Sequence, residues 1–455
     1  MNETANGRGQ WQSRMGFILA SAGSAVGLGN LWRFPYITGE NGGGLFVLIY
    51  LGCIALIGFP VMVAEIMVGR GTQRSNVEAY RTIAGQRTPW QGLGWLGVAV
   101  AFLILSFYSV VAGWALRYTL LAVTGQLSQR PAEEIGDLFG ATYASVPLNL
   151  IWTGLFVALT VSVVWRGVQH GLERWSRLLM PALLVLLLIL LGRAVTLDGF
   201  GEAFGFVFGI HADALSGAGV MEAMGHSFFT LSLGMGGVLT YGSYLKRDAD
   251  IPALSGAIAG LDTLIALLAC LVIFPVTFTY GLETTQGPGL LFASIPIAIS
   301  QMPASTLLAS VFFFLLVFAA LTSSIALLEV TTAHFIDVNR WSRTKSALVS
   351  GLIVAALAIP CALTGATDLF GAGFAEMFGK NWFDTVADFV SNWTLPVGGM
   401  GIALFVAWKM PERLRQEQFT TGSRLAGFYA SWLVVLRFVV PLAIIAVFLR
   451  AVGLF

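Results

Sequence analysis

Apolar runs long enough to cross a lipid bilayer recur from one end of this chain to the other, and that repetition limits the fold more than any other feature. A helix needs about 20 mostly apolar residues to traverse the hydrocarbon layer. In lipid every backbone N–H and C=O has to be paired within the protein, so runs of this length read as helices. Hydropathy weighed against loop breakers yields eleven candidate spans, at 14–37, 42–70, 91–124, 148–166, 171–195, 218–244, 252–280, 304–336, 344–363, 383–408 and 425–453. The expected fold is an all-α polytopic membrane protein, one transmembrane domain over 1–455 with no soluble domain left over.

Only 11% of the residues are charged against 56% hydrophobic, and the net charge is +1. The basic residues are scattered through short loops, which argues against a nucleic-acid partner. Cys53, Cys270 and Cys361 all lie inside apolar runs and read as packing residues. The polar stretch 1–12 leads into a first span with no small-residue cleavage site, so it is read as the start of that span and not as a signal peptide. Most Lys and Arg residues fall on the side of the amino terminus, whereas the loops 196–217 and 281–303 have none and carry Asp198, Glu202, Asp213 and Glu283. The positive-inside rule then places the amino terminus in the cytoplasm and the carboxyl terminus outside. The segment 287–296 is too short and broken to span, and reads as a helical hairpin over the outer vestibule.

Two spans carry a glycine cluster in mid-course: Gly23, Gly27 and Gly29 in the first, and Gly234, Gly236 and Gly237 in the sixth. Such glycines are open to a packing reading, and Gly23-x-x-x-Gly27 fits one. Asn30, Arg33, Thr230 and Ser232 lie at the same depth, however, and polar groups there are costly unless they line a polar cavity. The two spans are five apart, an odd offset that puts them in opposite orientation. This is the pattern of a 5+5 inverted repeat with discontinuous helices 1 and 6, with repeats at 14–195 and 218–408 and an extra span at 425–453. The amides opening one half-helix attract a carboxylate, and the carbonyls ending the other hold a cation or an ammonium group. An α-amino acid suits both.

GSAVGLGNLWRFP (23–35), ENGGG (40–44), FFTLSLGMG (228–236) and LTSSIALLE (321–329) together resemble the neurotransmitter:sodium symporter family over nearly the whole chain, closest to its bacterial eleven-span carriers of multiple hydrophobic amino acids, with the LeuT fold. The resemblance implies two sodium sites. One is formed by the Ala25 carbonyl, the side chains of Asn30, Thr230 and Asp262, and the substrate carboxylate. The other is formed by the carbonyls of Gly23, Val26 and Ala319 with the hydroxyls of Thr322 and Ser323. Both shells are oxygen-only, as a hard cation requires. Taken alone, Thr322-Ser323-Ser324 reads more readily as intrahelical back-bonding than as a metal site, and the resemblance reverses that reading. Asp262 is the one ionisable group in a long apolar run, and many family members have an amide there. A glutamine that binds chloride in animal relatives is His226 here, so the expectation is that the fixed Asp262 carboxylate replaces chloride, with a proton on Asp262 or His226 an open possibility during return.

By the same resemblance the substrate pocket comprises Ser24, Ala25, Leu28 and Gly29 from the first span, Ile104 and Tyr108 from the third, Phe229, Thr230, Ser232 and Met235 from the sixth, and Ser323 and Leu327 from the eighth. Tyr108 matches the tyrosine that donates to the substrate carboxylate, although an isolated Tyr reads also as a core residue. No acid stands at Gly23 or Ser24, where monoamine carriers hold an aspartate, so the cargo has to bring its own carboxylate. Flexible Met235 points to bulky apolar side chains, aromatic or branched aliphatic. Arg33 with Asp388 corresponds to an outer gate, and Arg8 with Asp337 to an inner one beside Trp11 and Tyr244. Gly171 and Pro181 match a motif at which the fifth helix unwinds, and a plain proline kink reads as well. Glu65 and Arg70 look structural, Glu65 bracing the broken helices.

The function expected is sodium-coupled import of neutral hydrophobic L-amino acids by alternating access, in a bacterial inner membrane, with sodium, cargo and lipid as partners and no obligate protein partner. The four histidines are far apart and no HExxH-type cluster occurs, which argues against an enzyme. A channel or a sensor on the same scaffold is the remaining alternative.

Overall fold

The structure is a computed structural model and describes residues 9–128, 130–210, 216–282 and 289–451. Among them the regular elements are all helical. Nine helices among the described residues are long and apolar enough to cross a membrane: Gly44–Thr72, Gln91–Val123, Val146–Val164, Val168–Ala194, Ile251–Tyr280, Ser305–Asn339, Arg343–Ala362, Trp382–Lys409 and Ala426–Leu449. A tenth span is the pair Arg14–Ala25 and Gly29–Glu40, bent by 51° at the glycine cluster. The eleventh is the pair Gly217–Thr230 and Gly237–Gly242, each half too short to span alone. The count expected from the sequence is therefore met once both broken helices are joined. We number the spans one to eleven along the chain, the broken ones being the first and the sixth.

Burial separates scaffold from lipid-facing helices. The apolar stretch of the eighth span is 89% buried and that of the third 78%, against 33% for the fifth and the eleventh. The third and eighth spans pack along each other as the central pair, and the first broken helix lies against the fifth, seventh and eighth. Close approach depends on small residues. At Gly113 in the third span an added Cβ would lie 2.8 Å from the backbone N of Thr153 in the fourth.

The connections carry short helices: Asn76–Ala84, Ala132–Tyr143, Phe200–Phe208, Ala372–Phe378 and Glu412–Thr420. The segment expected as a hairpin forms the apolar helix Leu290–Ser300, while 287 and 288 lie outside the described residues. Several spans contain one wide turn, such as Val168–Glu173, which leads into the helix Arg174–Ala194 with Pro181 inside it. Such turns are frequent where a helix has to deform. Arg70 is buried and donates to the Gln418 side chain at 2.7 Å and to the Ala249 carbonyl, tying the second span to the helix Glu412–Thr420 and to the loop before the seventh span as a structural residue would. Cys270 and Cys361 are buried, Cys53 partly so, and all three are free thiols.

Substitution of Gly113 by Val is expected to cost roughly 1–3 kcal/mol through overpacking. Gly154→Ala, where an added Cβ meets no atom within 4 Å, should be silent. Thermal unfolding of the detergent-solubilised variants followed by size-exclusion chromatography checks both.

Candidate functional site

At the first break, helix Arg14–Ala25 ends with the Val26 N–H on the Ala22 carbonyl, and the chain resumes at Gly29. Asn30 closes the gap: its Oδ1 accepts from the Gly27 N–H at 3.0 Å. Its amide nitrogen donates to Thr230 Oγ1 at 3.1 Å and to Asp262 Oδ1 at 2.7 Å. Thr230 in turn donates to both Asp262 oxygens, at 3.1 and 2.9 Å, and the Tyr50 hydroxyl lies 3.5 Å from Oδ2. Asn30, Thr230 and Asp262, from three different spans, thus meet in one fully buried oxygen-rich cluster. A lone carboxylate at that depth would be prohibitive, and its hydrogen bonds are what make it tolerable.

On the other side of the first break, the Ser323 hydroxyl is 3.2 Å from each of the carbonyls of Gly23, Ser24 and Val26. Thr322 beside it donates to the Ala319 and Phe318 carbonyls at 3.0 Å, the back-bonding geometry that its sequence left open. The residues expected for a second cation shell are brought together, and Ser24 joins them through its carbonyl.

The second break is more strained. Ser232 adopts φ +54°, a conformation costly for a residue with a Cβ, and Gly234 and Gly236 follow at +79° and +74°. Two contacts hold it. The Ser232 hydroxyl donates to the Ser24 carbonyl at 2.8 Å, joining the two breaks directly, and the Gly234 N–H donates to Glu65 Oε1 at 2.7 Å. Glu65, wholly buried, braces the sixth span as its sequence position suggested.

Above the breaks opens a cavity of about 270 Å³, floored by Leu28, Gly29, Tyr108 and Phe229. The Leu28 N–H donates to the Tyr108 hydroxyl at 3.2 Å, so this tyrosine touches the break itself. An added Cβ on Gly27 would lie 2.7 Å from Ser323 Oγ and 2.9 Å from the Tyr108 oxygen, so both hydroxyls close in on the first break. Ser24, Ala25, Ile104, Ser232, Met235, Ser323 and Leu327 are buried beneath this floor and do not line the cavity.

Arg33 and Asp388 both line the cavity wall, but they do not pair with each other. The Arg33 guanidinium stands over the Phe229 ring at 5.3 Å, and Asp388 is paired with Lys380. Lys380 was missed in the sequence because a surface lysine eight residues from its partner carries no pattern. Glu222, held by Asn41 at 2.9 Å, and Asp384 add acid to the same wall. His226 is buried and stacked on Phe34, centroids 5.5 Å apart, with neither ring nitrogen hydrogen-bonded among the described residues.

On the opposite face Trp11 is a buried plug. Its indole N–H donates to the Tyr241 carbonyl at 2.9 Å, and its ring meets Phe17, Tyr241 and Tyr244 edge-on. Tyr244 donates to Glu329 at 2.5 Å, and Glu329 is also held by Arg343. Asp337 accepts from the Ser75 N–H at 2.7 Å. Arg8 lies outside the described residues. Among the described residues Trp11 is buried on the side of the amino terminus, and the cavity opens on the other side.

The profile of the Sodium:neurotransmitter symporter family matches residues 8–135 and 141–454. The chain belongs to that family. It is 40% identical over 448 residues to the sodium-dependent transporter YhdH of Bacillus subtilis, covering 98% of both chains, and 32% identical over 456 residues to a sodium-dependent transporter of Haemophilus influenzae, covering 97% of this chain and 98% of that one. The solved structure of MhsT in complex with L-phenylalanine superposes with a TM-score of 0.90 at 43% identity, covering 98% of this chain and all of the other. These relatives are transporters, and this member of the sodium:neurotransmitter symporter family is a multi-pass membrane protein with the LeuT-type fold and not an enzyme.

Replacing Glu65 by Leu should cost this symporter about 1–3 kcal/mol, because the Gly234 N–H is left buried without an acceptor. Glu65→Gln, which keeps a carbonyl oxygen, should retain most of the stability in the same thermal assay.

Proposed function

We propose that the protein couples sodium to the import of neutral hydrophobic L-amino acids, aromatic and branched aliphatic, by alternating access. The observation that carries this reading is the convergence of the Ser323 hydroxyl on three carbonyls of the first break, next to Thr322 and within reach of Tyr108. An oxygen cluster without a carboxylate suits a monovalent hard cation. A second sodium is assigned to Asn30, Thr230 and Asp262 with the Ala25 carbonyl, where the cargo carboxylate completes the shell. Gly23, Val26, Ala319 and Thr322 complete the Ser323 site. Repeats 14–195 and 218–408, with 425–453 as the extra span, supply the two-fold relation of the breaks.

The cargo carboxylate meets the Tyr108 hydroxyl and the amides that open Gly29–Glu40, and its side chain lies among Leu28, Ile104, Phe229, Met235 and Leu327. MhsT, similar over almost its whole length, was solved with L-phenylalanine, which supports an apolar cargo of this size. Closure moves Asp388 from Lys380 to Arg33 above the cargo. The Lys380–Asp388 pair that this exchange breaks is exposed and worth about 0–1 kcal/mol, so it does not lock the cycle. Opening of the far side releases Trp11, with Arg8 and Asp337 as the pair that parts, in a bacterial inner membrane with the amino terminus cytoplasmic. Each sodium carried inward gains about 2.3 kcal/mol per 100 mV from the electrical term. The Asp262 carboxylate takes the place of chloride as the negative charge beside the first sodium.

Counterflow of labelled leucine or phenylalanine in proteoliposomes should require sodium and fail when choline replaces it. Sodium-dependent binding with no exchange would instead identify a sensor. Ser323→Ala or Thr322→Ala should raise the half-saturating sodium concentration on the order of tenfold, a loss of about 1.4 kcal/mol. Unchanged sodium affinity removes these hydroxyls from the site. Exchange of chloride for gluconate should leave uptake unaltered, and a collapse of uptake would refute the role given to Asp262.

A further inference from the structure

A second cavity, of about 360 Å³, opens at the wide first turn of the fifth span, on the same side of the molecule as the Trp11 plug and far from the cargo vestibule. His170, Arg174 and Arg177 line it from one helix face, at the spacing that stacks side chains on successive turns. Leu178, next in the same wall, is 62% exposed on the lipid-facing surface, and Trp165, at the end of the fourth span, is 45% exposed nearby in sequence. Glu173 is the one acid in the lining, and it is turned inward and buried. It accepts from the Gln12 N–H at 2.8 Å, from Ser13 Oγ at 3.2 Å and from Arg177 at 2.5 Å. Arg174 and His170 have no acceptor among the described residues. The cavity therefore presents an uncompensated guanidinium and a second one shared with Glu173, at the edge of an apolar surface.

We propose that this cavity is a headgroup site for an anionic phospholipid. Arg174 takes the phosphate with the planar fork that suits it, Arg177 supports it from the next turn, and the acyl chains run along Leu178. Basic pockets between helices at the cytoplasmic boundary bind such headgroups. Charge complementarity and the continuity of the cavity with the lipid-facing surface favour a membrane lipid over a soluble phosphate, which would gain nothing from Leu178. Occupancy has a consequence for gating. The phosphate competes with Glu173 for Arg177, and Glu173 is what clamps Gln12 and Ser13, the residues directly after the Trp11 plug, onto the fifth span. The placement in the cytoplasmic leaflet rests on the orientation proposed above.

The full-length protein in neutral detergent is titrated with phosphatidylglycerol, and bound lipid is counted by native mass spectrometry. Detergent exposes both faces, so the result does not depend on orientation, and sodium-dependent leucine binding is measured on the same samples so that failure of the cargo reading is seen separately. R174Q/R177Q should weaken lipid retention roughly 30-fold, as expected for the loss of two surface cations. R174K/R177K, which keeps the charges and loses the fork, should fall between that variant and the wild type, and R413Q/R424Q, which removes two basic residues elsewhere, should keep all of it. Should the double glutamine variant be unstable by size-exclusion chromatography, R174Q alone is read, since its guanidinium holds no part of the protein. Retention by R174Q/R177Q equal to that of the wild type overturns the site. Equal loss in R413Q/R424Q overturns its specificity. Displacement of the lipid by glycerol phosphate at comparable concentration assigns the cavity to a soluble phosphate instead.

Discussion

Everything in this molecule that can bind or move hangs on the need to pair backbone groups where two helices stop in the middle of a membrane. A break frees N–H and C=O groups that lipid cannot satisfy, and each left bare would cost several kcal/mol. The protein satisfies them with side chains from elsewhere in the chain: Asn30 caps Gly27, Glu65 receives Gly234, Ser323 addresses three carbonyls of the first break, and Ser232 reaches across to Ser24. The same groups are those that an ion or a zwitterion would use. Satisfying the backbone and building the site are one structural problem.

This economy explains why the breaks are coupled. The Ser232 to Ser24 bond and the Asn30–Thr230–Asp262 cluster join the first, sixth and seventh spans, while Ser323 joins the first to the eighth. A movement of either half-helix has to rearrange oxygen atoms that belong to the proposed sodium shells. The third and eighth spans, the most buried, supply the fixed frame against which such movement is measured. At the two ends the demands differ. The vestibule wall carries the exposed pair Lys380 with Asp388, whereas the opposite side holds the buried Trp11 and Glu329 between Tyr244 and Arg343.

The long apolar runs determined the helices and their number, because burial of about 20 apolar residues in lipid leaves no competing structure. The glycine clusters at 23–29 and 234–237 determined where two spans stop, since polar residues stand at the same depth on both. They could not say that Ser232 takes a left-handed conformation, which follows from its bond to Ser24 more than 200 positions away. The motif LTSSIALLE likewise named Thr322 and Ser323 together and could not separate them, and in the structure Thr322 bonds to its own helix while Ser323 faces the break.

What the sequence by itself determined is thus the set of local properties that one segment carries: hydropathy, breaks, and the residue types at them. Only the tertiary structure decided the partners. Lys380 takes Asp388 and leaves Arg33 to the Phe229 ring, and Glu173 collects Gln12, Ser13 and Arg177 into one clamp. Charges on loops and helix ends have no periodicity to betray their neighbours. Their pairing is set by how the spans pack.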